Sequence, residues 1–412
     1  MGFAEEAFIK SADSPSIDAF GRWRVSQLTT LLDLKQLHDS QPLLVDILTS
    51  GTGSDAHSTT NAATTISTSA NSDYVVAQTY QTFNYQSAKS HLIFMTFSDF
   101  HVQTNVTKRM GYFSSSTTAP YTTILDGIFL ENDGTEVKLR VEQTGASIAD
   151  VAQTSWNLDT LDGSGGGSNP SGINIDWEKT NIFVIDFEWL GVGRVRAGVV
   201  VDGLVIYFHE VLNANNEDNV YMSSPNQPLR WEIRQSGAGS GTLDYICASV
   251  NSEGALNQIG KTFSDNAGNN DIQLNSTGTT YAAIGIRLKS THLDATIDLL
   301  NFDYLAETND RALWELRLNP TVTGTFTYTG VTDSAAETSV GNQTGGAAPT
   351  VSGGTVLASG YLQQQASVTV EIDSAIKLGA AIDGTPDELV LCITPIQAGL
   401  DAFVAYNWRE TV

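Results

Sequence analysis

The sequence predicts an all-β protein, an antiparallel β-sandwich of jelly-roll type with a second, smaller C-terminal β-domain and an extended N-terminal arm. Three observations carry this. Residues 182–210 (IFVIDFEWLGVGRVRAGVVVDGLVIYFHE) hold three stretches of alternating apolar and polar or small residues, separated by two tight turns. Period-two alternation marks half-buried strands, and Asp202-Gly203 is a hairpin signal because a type I′ turn needs positive φ at both central residues. Composition agrees: 41% of the 412 residues are hydrophobic and only 16% charged, which suits sandwiches with polar loops. Finally, strand signals follow one another closely, with no pattern for a long helix.

Taken in order, residues 1–45 form the arm. It contains PSIDAFGRWRVSQ (15–27), which reads as extended, then LLDLKQLHD (31–39), which has the look of a short helix, then QPLLVDIL (41–48). Ile17, Phe20, Trp23, Val25, Leu31 and Leu32 are too many apolar groups for so short a stretch to cover. They require another surface, the chain's own sandwich or a partner, and are the candidate partner-binding residues. The expectation is that removing residues 1–30 leaves a folded sandwich. Residues 46–260 are the sandwich domain. It opens with a small, polar stretch at 50–73, a loop or an edge hairpin of weak register. YVVAQTYQTFNY, SHLIFMTFSDF, TKRMGYFSS and DGIFLENDGTEVKLRVEQ follow, the last turning at Asp133-Gly134. After a Gly-rich loop at 159–175 comes the meander, then PLRWEIRQ and TLDYICASV. Residues 261–279 read as a Gly/Asn/Ser-rich linker, and 280–412 as the second β-domain.

The two faces of the meander follow from patterning. The Asp202-Gly203 turn pairs Val201 with Leu204, Val199 with Ile206 and Ala197 with Phe208. A three-residue loop at 191–193 sets Trp189, Phe187 and Ile185 opposite Val195, Ala197 and Val199, all in the core. A one-residue slip would bury Arg194 and Arg196 without partners. The opposite face collects Asp186, Glu188, Arg194, Arg196, Tyr207 and His209. This is either a solvated face of cross-strand ion pairs or a polar ligand site, for instance for a sugar.

Charge and composition exclude several function classes. A formal net charge of −25 repels phosphate and anionic membranes, so neither nucleic acid nor membrane is an expected partner. No apolar run reaches the length of a membrane span. Met1-Gly2-Phe3 leads into acidic residues rather than a signal peptide. Cys247 and Cys392 are expected as reduced thiols, a bridge remaining open. The six histidines lack zinc-site spacing, so no metal or other cofactor is expected. Asn157, Asp159, Asp162 and Asp176 could offer oxygens to calcium but do not follow an EF-hand loop, and polar turn residues are the simpler account. ALNQIGKT (255–262) misses the phosphate-binding pattern, with five residues rather than four between Gly254 and Gly260.

Two resemblances add to this. VIDFEWLG (184–191) resembles the catalytic strand of the family-16 glycoside hydrolases, E-I-D-x-E, a concanavalin-like jelly roll. Asp186 and Glu188 match, but Val184 stands at the nucleophile position, and a retaining mechanism needs both carboxyls. The resemblance therefore supports the fold and argues against that activity. IDAFGRWRVSQLTTLLDLKQ (17–36) is similar to an N-terminal signature of tailed-bacteriophage virion proteins, D-A-F-G-R-x-R-V-S followed by L-x-D-x-K-Q. RMGYF (109–113), SWNLDTLDG (155–163), the meander IDFEWLGVGRVRAGVVVDG (185–203), PNQPLRWEI (225–233) and RALWELRLNPTVTG (311–324) also look like stretches of such proteins. This resemblance implies a non-catalytic structural protein of the virion, in head, tail or fibre, docked on other virion proteins through its arm. By analogy it implies a homo-oligomer, often trimeric. The alternatives are a glycan- or receptor-binding module for a host surface and, behind it, a glycan-degrading virion enzyme.

Overall fold

A computed structural model describes residues 16–254, 260–306, 311–341, 348–362, 367–371 and 377–411. The start of the arm, residues 1–15, and most of ALNQIGKT lie outside them. The chain divides into two compact units. The first holds residues 1–78 and 85–257, the second residues 79–84 and 258–412.

The first unit is an antiparallel β-sandwich. Its strands are β1 (Leu28–Lys35), β2 (Val45–Ser50), β3 (Ser54–Ser58), β4 (Ala63–Thr68), β5 (Tyr74–Thr79), β6 (His91–Ser98), β7 (Val106–Ser115) and β8 (Ile124–Asn132). They continue with β9 (Val137–Gln143), β10 (Ala146–Ala152), β11 (Asn181–Phe187), β12 (Val195–Val201), β13 (Leu204–Val211), β14 (Leu229–Gln235) and β15 (Gly241–Glu253). One sheet runs β13-β12-β11-β6-β15-β4-β3, with β1 also on β15; the other runs β10-β9-β8-β7-β14-β5-β2. Their inner faces meet through aromatic rings. Tyr112 of β7 lies 5.5 Å from Phe187 of β11, and Trp231 of β14 stacks on Tyr245 of β15 at 4.8 Å.

Local turn chemistry behaves as the sequence predicts. Asp202 and Gly203 have φ of 51° and 79°, as a type I′ hairpin requires. The Asp133 carboxylate accepts the backbone N–H groups of Thr135 and Glu136 in the β8–β9 turn. The polar stretch at 50–73 is an edge hairpin, β3–β4.

Other expectations are corrected. LLDLKQLHD is not a helix: most of it lies in β1, which pairs with β15. Leu32 and Leu34 are buried while Asp33 and Lys35 are exposed, so alternation and an available partner edge override helical propensity. The predicted linker at 261–279 contains strands Lys261–Asn266 and Ile272–Leu274, both paired with Leu400–Thr411. Two inward side chains, Ile272 and Leu274, suffice to seat the second of them, too few to register against a Gly/Asn background.

The second unit is also built of antiparallel sheets. One orders Lys261–Asn266, Leu400–Thr411, Thr296–Ala306 and Ser367–Glu371. The other contains, side by side, Tyr281–Leu288, Glu388–Pro395, Ala312–Leu318 and Thr355–Leu362. Phe302, Tyr304, Trp314, Tyr406 and Trp408 dominate its core. Residues 79–84 join it through a bond from the Ala380 N–H to the Tyr80 carbonyl, 3.0 Å. Cys247 and Cys392 are free thiols, one in each unit.

Candidate functional site

The site is the polar face of the meander. Its register is Phe187↔Val195, Ile185↔Ala197 and Phe183↔Val199, two residues away from the expected pairing. The reason is a longer loop: β11 ends at Phe187 and β12 begins at Val195. A slip of two preserves the faces, so Ile185 and Phe187 are in the core as expected. Trp189 is not. It sits half-buried in the loop, its indole N–H on the Met222 carbonyl at 3.1 Å and its ring edge-on to Tyr85.

A β-bulge makes a second correction. Gly198 pairs with Tyr207, but Ala197 pairs with His209, so Phe208 is the extra residue. Parity therefore changes along β13. Tyr207 stays on the polar face, Glu210 joins it opposite Arg196, and His209 leaves it. His209 Nδ1 accepts the Asn157 N–H at 3.1 Å.

Asp186, Glu188, Arg194, Arg196 and Tyr207 do come together, but on no open groove. The chain's own arm covers them. Residues 16–24 form a tight loop rather than an extended segment: the Asp18 N–H donates to the Arg22 carbonyl (2.8 Å) and the Arg24 N–H to Ser16 (2.9 Å). Asp18 Oδ1 accepts the N–H groups of Phe20 and Arg22, and Oδ2 takes Arg22 Nε at 2.5 Å. Gly21 supplies the positive φ, 77°, that closes the loop. Asp18, Gly21 and Arg22 of D-A-F-G-R-x-R thus each have a physical role.

The loop then latches onto the sheet. Arg22 Nη2 reaches Glu188 Oε2 at 2.7 Å, and Arg24 Nη2 reaches Asp186 Oδ1 at 2.6 Å. From the sheet, Arg194 Nε donates to the Ala19 carbonyl (2.7 Å) and Arg196 Nη2 to Ile17 (2.8 Å). Asp186 is the hub. Its Oδ2 also accepts Arg196 Nη2 at 2.5 Å and the Tyr207 hydroxyl at 2.8 Å, beneath an Arg196 guanidinium 4.3 Å from the Tyr207 ring. Arg194 additionally pairs with Glu210 at 3.0 Å.

The candidate partner residues divide accordingly. Ile17 and Leu32 are buried in the chain's own sandwich, and Leu31 is half-buried at a break in the β1 register. Ile17 and Leu32 are thereby not available to a partner. Phe20, Trp23 and Val25 are 45%, 66% and 91% exposed. The latch also revises the deletion expectation. Loss of residues 1–30 would strip Arg22 and Arg24 from buried carboxylates and shorten β1, so it is expected to destabilise the sandwich.

Burial pushes Glu188 up to about 7, the carboxylates of Asp18 and Glu253 adding to this against the pull of Arg22. Its Oε1 is buried with no partner among the described residues. Burial alone holds His209 down at about 4. A ring that stays neutral when folded but charges when unfolded contributes stability in full above about pH 6.5, and loses it as pH falls toward 4. The native protein is therefore expected to lose about 2 kcal/mol more than His209→Gln between pH 7 and pH 5. Urea denaturation of both at the two values checks this; equal losses would show that the ring titrates freely.

A second charged face went unread in the sequence. On the outer side of the other sheet, Glu232 of β14 opposes Arg109 of β7, which opposes Glu131 of β8. Glu232 accepts Arg109 Nη1 (2.6 Å), Arg230 Nη2 (2.9 Å) and Arg234 Nη2 (3.2 Å) and is fully buried. The carbonyls of Pro120 and Tyr121 close over Arg234 and Arg230. Alternating charges along LRWEIRQ signalled a polar face, but nothing local indicates that a loop 110 or so residues away covers it.

The remaining candidates are structural. Asp159 holds Leu161, Asn169 and Ser171, and Asp162 and Asp176 cap the turns at Ser164 and Glu178. Asn157 ties the chain to Glu210. Val184 shares the face of Asp186 but packs with Leu92 and Tyr207 in an apolar cluster.

No protein-family model matches the chain, and no curated protein is similar to it in sequence. Solved structures are similar in fold. The β-glucanase of Bacillus licheniformis is 10% identical with a TM-score of 0.34, over 53% of this chain and 97% of its own. The carbohydrate recognition domain of Emp46p is 9% identical with a TM-score of 0.36, over 55% and 97%. An endo-1,3-β-glucanase from Streptomyces sioyaensis has the same identity, TM-score and coverage. No residue role passes from them to this chain.

Proposed function

We propose that this chain is a non-catalytic structural subunit of a tailed-phage virion, and that the outward side of its latched arm docks on a neighbouring virion protein. One observation carries this. The polar groups of the D-A-F-G-R-x-R loop bond within the chain, whereas Phe20, Trp23 and Val25 are left facing solvent. Aromatic groups on a hydrogen-bonded loop lose little entropy on docking, and Trp and Phe are enriched at interfaces. The resemblance of the same segment to virion proteins supplies the setting, and assembly as a homo-oligomer, trimeric by analogy, accords with it. Such a subunit is assembled inside the host and released with the particle.

The test is a triple substitution, Phe20→Ser, Trp23→Ser and Val25→Ser, supplied in place of the native chain during particle assembly. The melting temperature is expected to stay within about 2 °C, since exposed side chains contribute little to folding. Incorporation into particles is expected to fall by about tenfold or more, as loss of interface anchors does. Normal incorporation would refute the docking role. A glycan- or receptor-binding function loses the meander face to the arm; a cavity in the second unit favours it instead. Glycan degradation finds Val184 in an apolar patch where a nucleophile would stand.

A further inference from the structure

We infer that the second unit carries a binding site for a neutral saccharide, a ligand function separate from the docking role and independent of it. The site lies on the outward face of the sheet containing Tyr281–Leu288. There Arg287 has Glu388 opposite it on one neighbouring strand and Glu337 on the other. Its Nε donates to Glu337 Oε2 at 2.9 Å and its Nη1 to Glu388 Oε1 at 2.8 Å. Both carboxylates spread the guanidinium flat across the sheet.

Residues 322–328 cross over this face. The Tyr328 ring lies 4.1 Å from the Arg287 guanidinium carbon, and Phe326 meets Tyr328 edge-on at 5.6 Å. Gly285 makes room for them: a Cβ there would come within 2.5 Å of the Tyr328 hydroxyl and 2.9 Å of the Phe326 ring. A side chain at 285 would lift both aromatics, so the glycine is part of the site's construction. An open cavity of about 420 Å³ is lined by Arg287 and Glu388 of the sheet and by Phe326, Thr327 and Tyr328 of the crossing segment, among others. That is within the size range of small-ligand sites.

The chemistry of the lining selects the ligand class. In the lining Arg287 is balanced by Glu388, and Glu337 holds the guanidinium from outside the cavity, so no unpaired cation is offered to a phosphate, sulfate or carboxylate. The same charged groups penalise an apolar ligand, which could not satisfy them once desolvated. A neutral sugar ring meets both conditions. Its hydroxyls act as donors to Glu388 and as acceptors from Arg287, and its C–H face rests on Phe326.

The experiment is saturation-transfer NMR on the full chain with glucose, galactose, mannose, N-acetylglucosamine, maltose and lactose, and with inorganic sulfate as a competitor. At least one saccharide is expected to bind, and sulfate to leave it bound. Thr327→Trp, which fills the cavity from an exposed position, and Glu388→Gln, which removes one acceptor charge, are each expected to weaken binding about tenfold, the size of one lost charged hydrogen bond. Circular dichroism and melting temperature confirm that both variants fold. No binding by any of the six sugars, displacement by sulfate, or unchanged binding in the folded Thr327→Trp variant would overturn the assignment.

Discussion

Replacing Asp186 with alanine is expected to destabilise the first unit by about 3–5 kcal/mol, the cost of leaving buried charges without their partner. Asp186 is completely buried and is the shared acceptor of Arg24, Arg196, Tyr207 and Ser90. Alanine leaves two guanidiniums facing each other across a space that cannot be hydrated freely. It also unties the arm, since Arg24 is one of its two charged anchors. For a unit of this size the melting temperature should fall by roughly 10 °C or more. Asp33→Ala is the control. It breaks the ion pair with Lys35, whose two side chains are more than half exposed, and surface pairs contribute about 0–1 kcal/mol. Denaturant titration of both variants separates the cases. A loss for Asp186→Ala no larger than for Asp33→Ala would mean that the arm is not latched through this carboxylate.

Glu232→Ala should cost as much, on the opposite side of the sandwich. Burial pushes the Glu232 carboxyl up, but the guanidiniums of Arg230, Arg234 and Arg109 outweigh it and hold the group well below the usual carboxylate range. Glu232 is thus ionised at all ordinary pH values, and its loss leaves Arg230 fully buried with only neutral oxygens from Gln78 and Tyr121. The expected loss is about 3–5 kcal/mol, with Glu232→Gln recovering only part of it because an amide cannot neutralise three cations. The sign of the pH dependence also follows. A carboxyl held low when folded contributes stability above its unfolded value, near 4.5, and gives it up as the pH falls further. The native protein should therefore lose more stability than Glu232→Gln on acidification below about pH 5. Equal acid sensitivity, or a loss under 1 kcal/mol at neutral pH, would show that the three arginines find other counterions.

Both expectations depend on what covers a charged face, and patterning does not reveal that. Asp186 and Glu188 alternate with Ile185 and Phe187 in a way that assigns their side of the sheet, and the assignment holds even though the strands pair two residues away from the expected register. His209 fails for a related reason. One extra residue at Phe208 reverses the parity of everything after it on β13, and such a bulge leaves no mark in the alternation of IYFHEV. For LLDLKQLHD, helix and strand patterns overlap over so short a run, and the free edge of β15 decides between them. The arm shows the opposite case. Asp18, Gly21, Arg22 and Arg24 belong in the sequence only to a resemblance, yet each has a defined bond or backbone requirement in the loop.

By itself the sequence determined what is local: the Asp202-Gly203 and Asp133-Gly134 hairpins, the antiparallel class, and the sorting of the meander into an apolar and a charged side. Turn geometry and the period-two pleat act over a few residues, so a few residues disclose them. Only the tertiary structure decided that the arm folds back onto that charged side, that Ile17 and Leu32 are covered while Phe20, Trp23 and Val25 are not, and that Glu232 lies in a closed network. A charged sheet face has the same pattern whether water or a distant segment lies upon it. The difference is one of long-range desolvation, and residues 18–24 meet residues 186–196 only when the chain has folded.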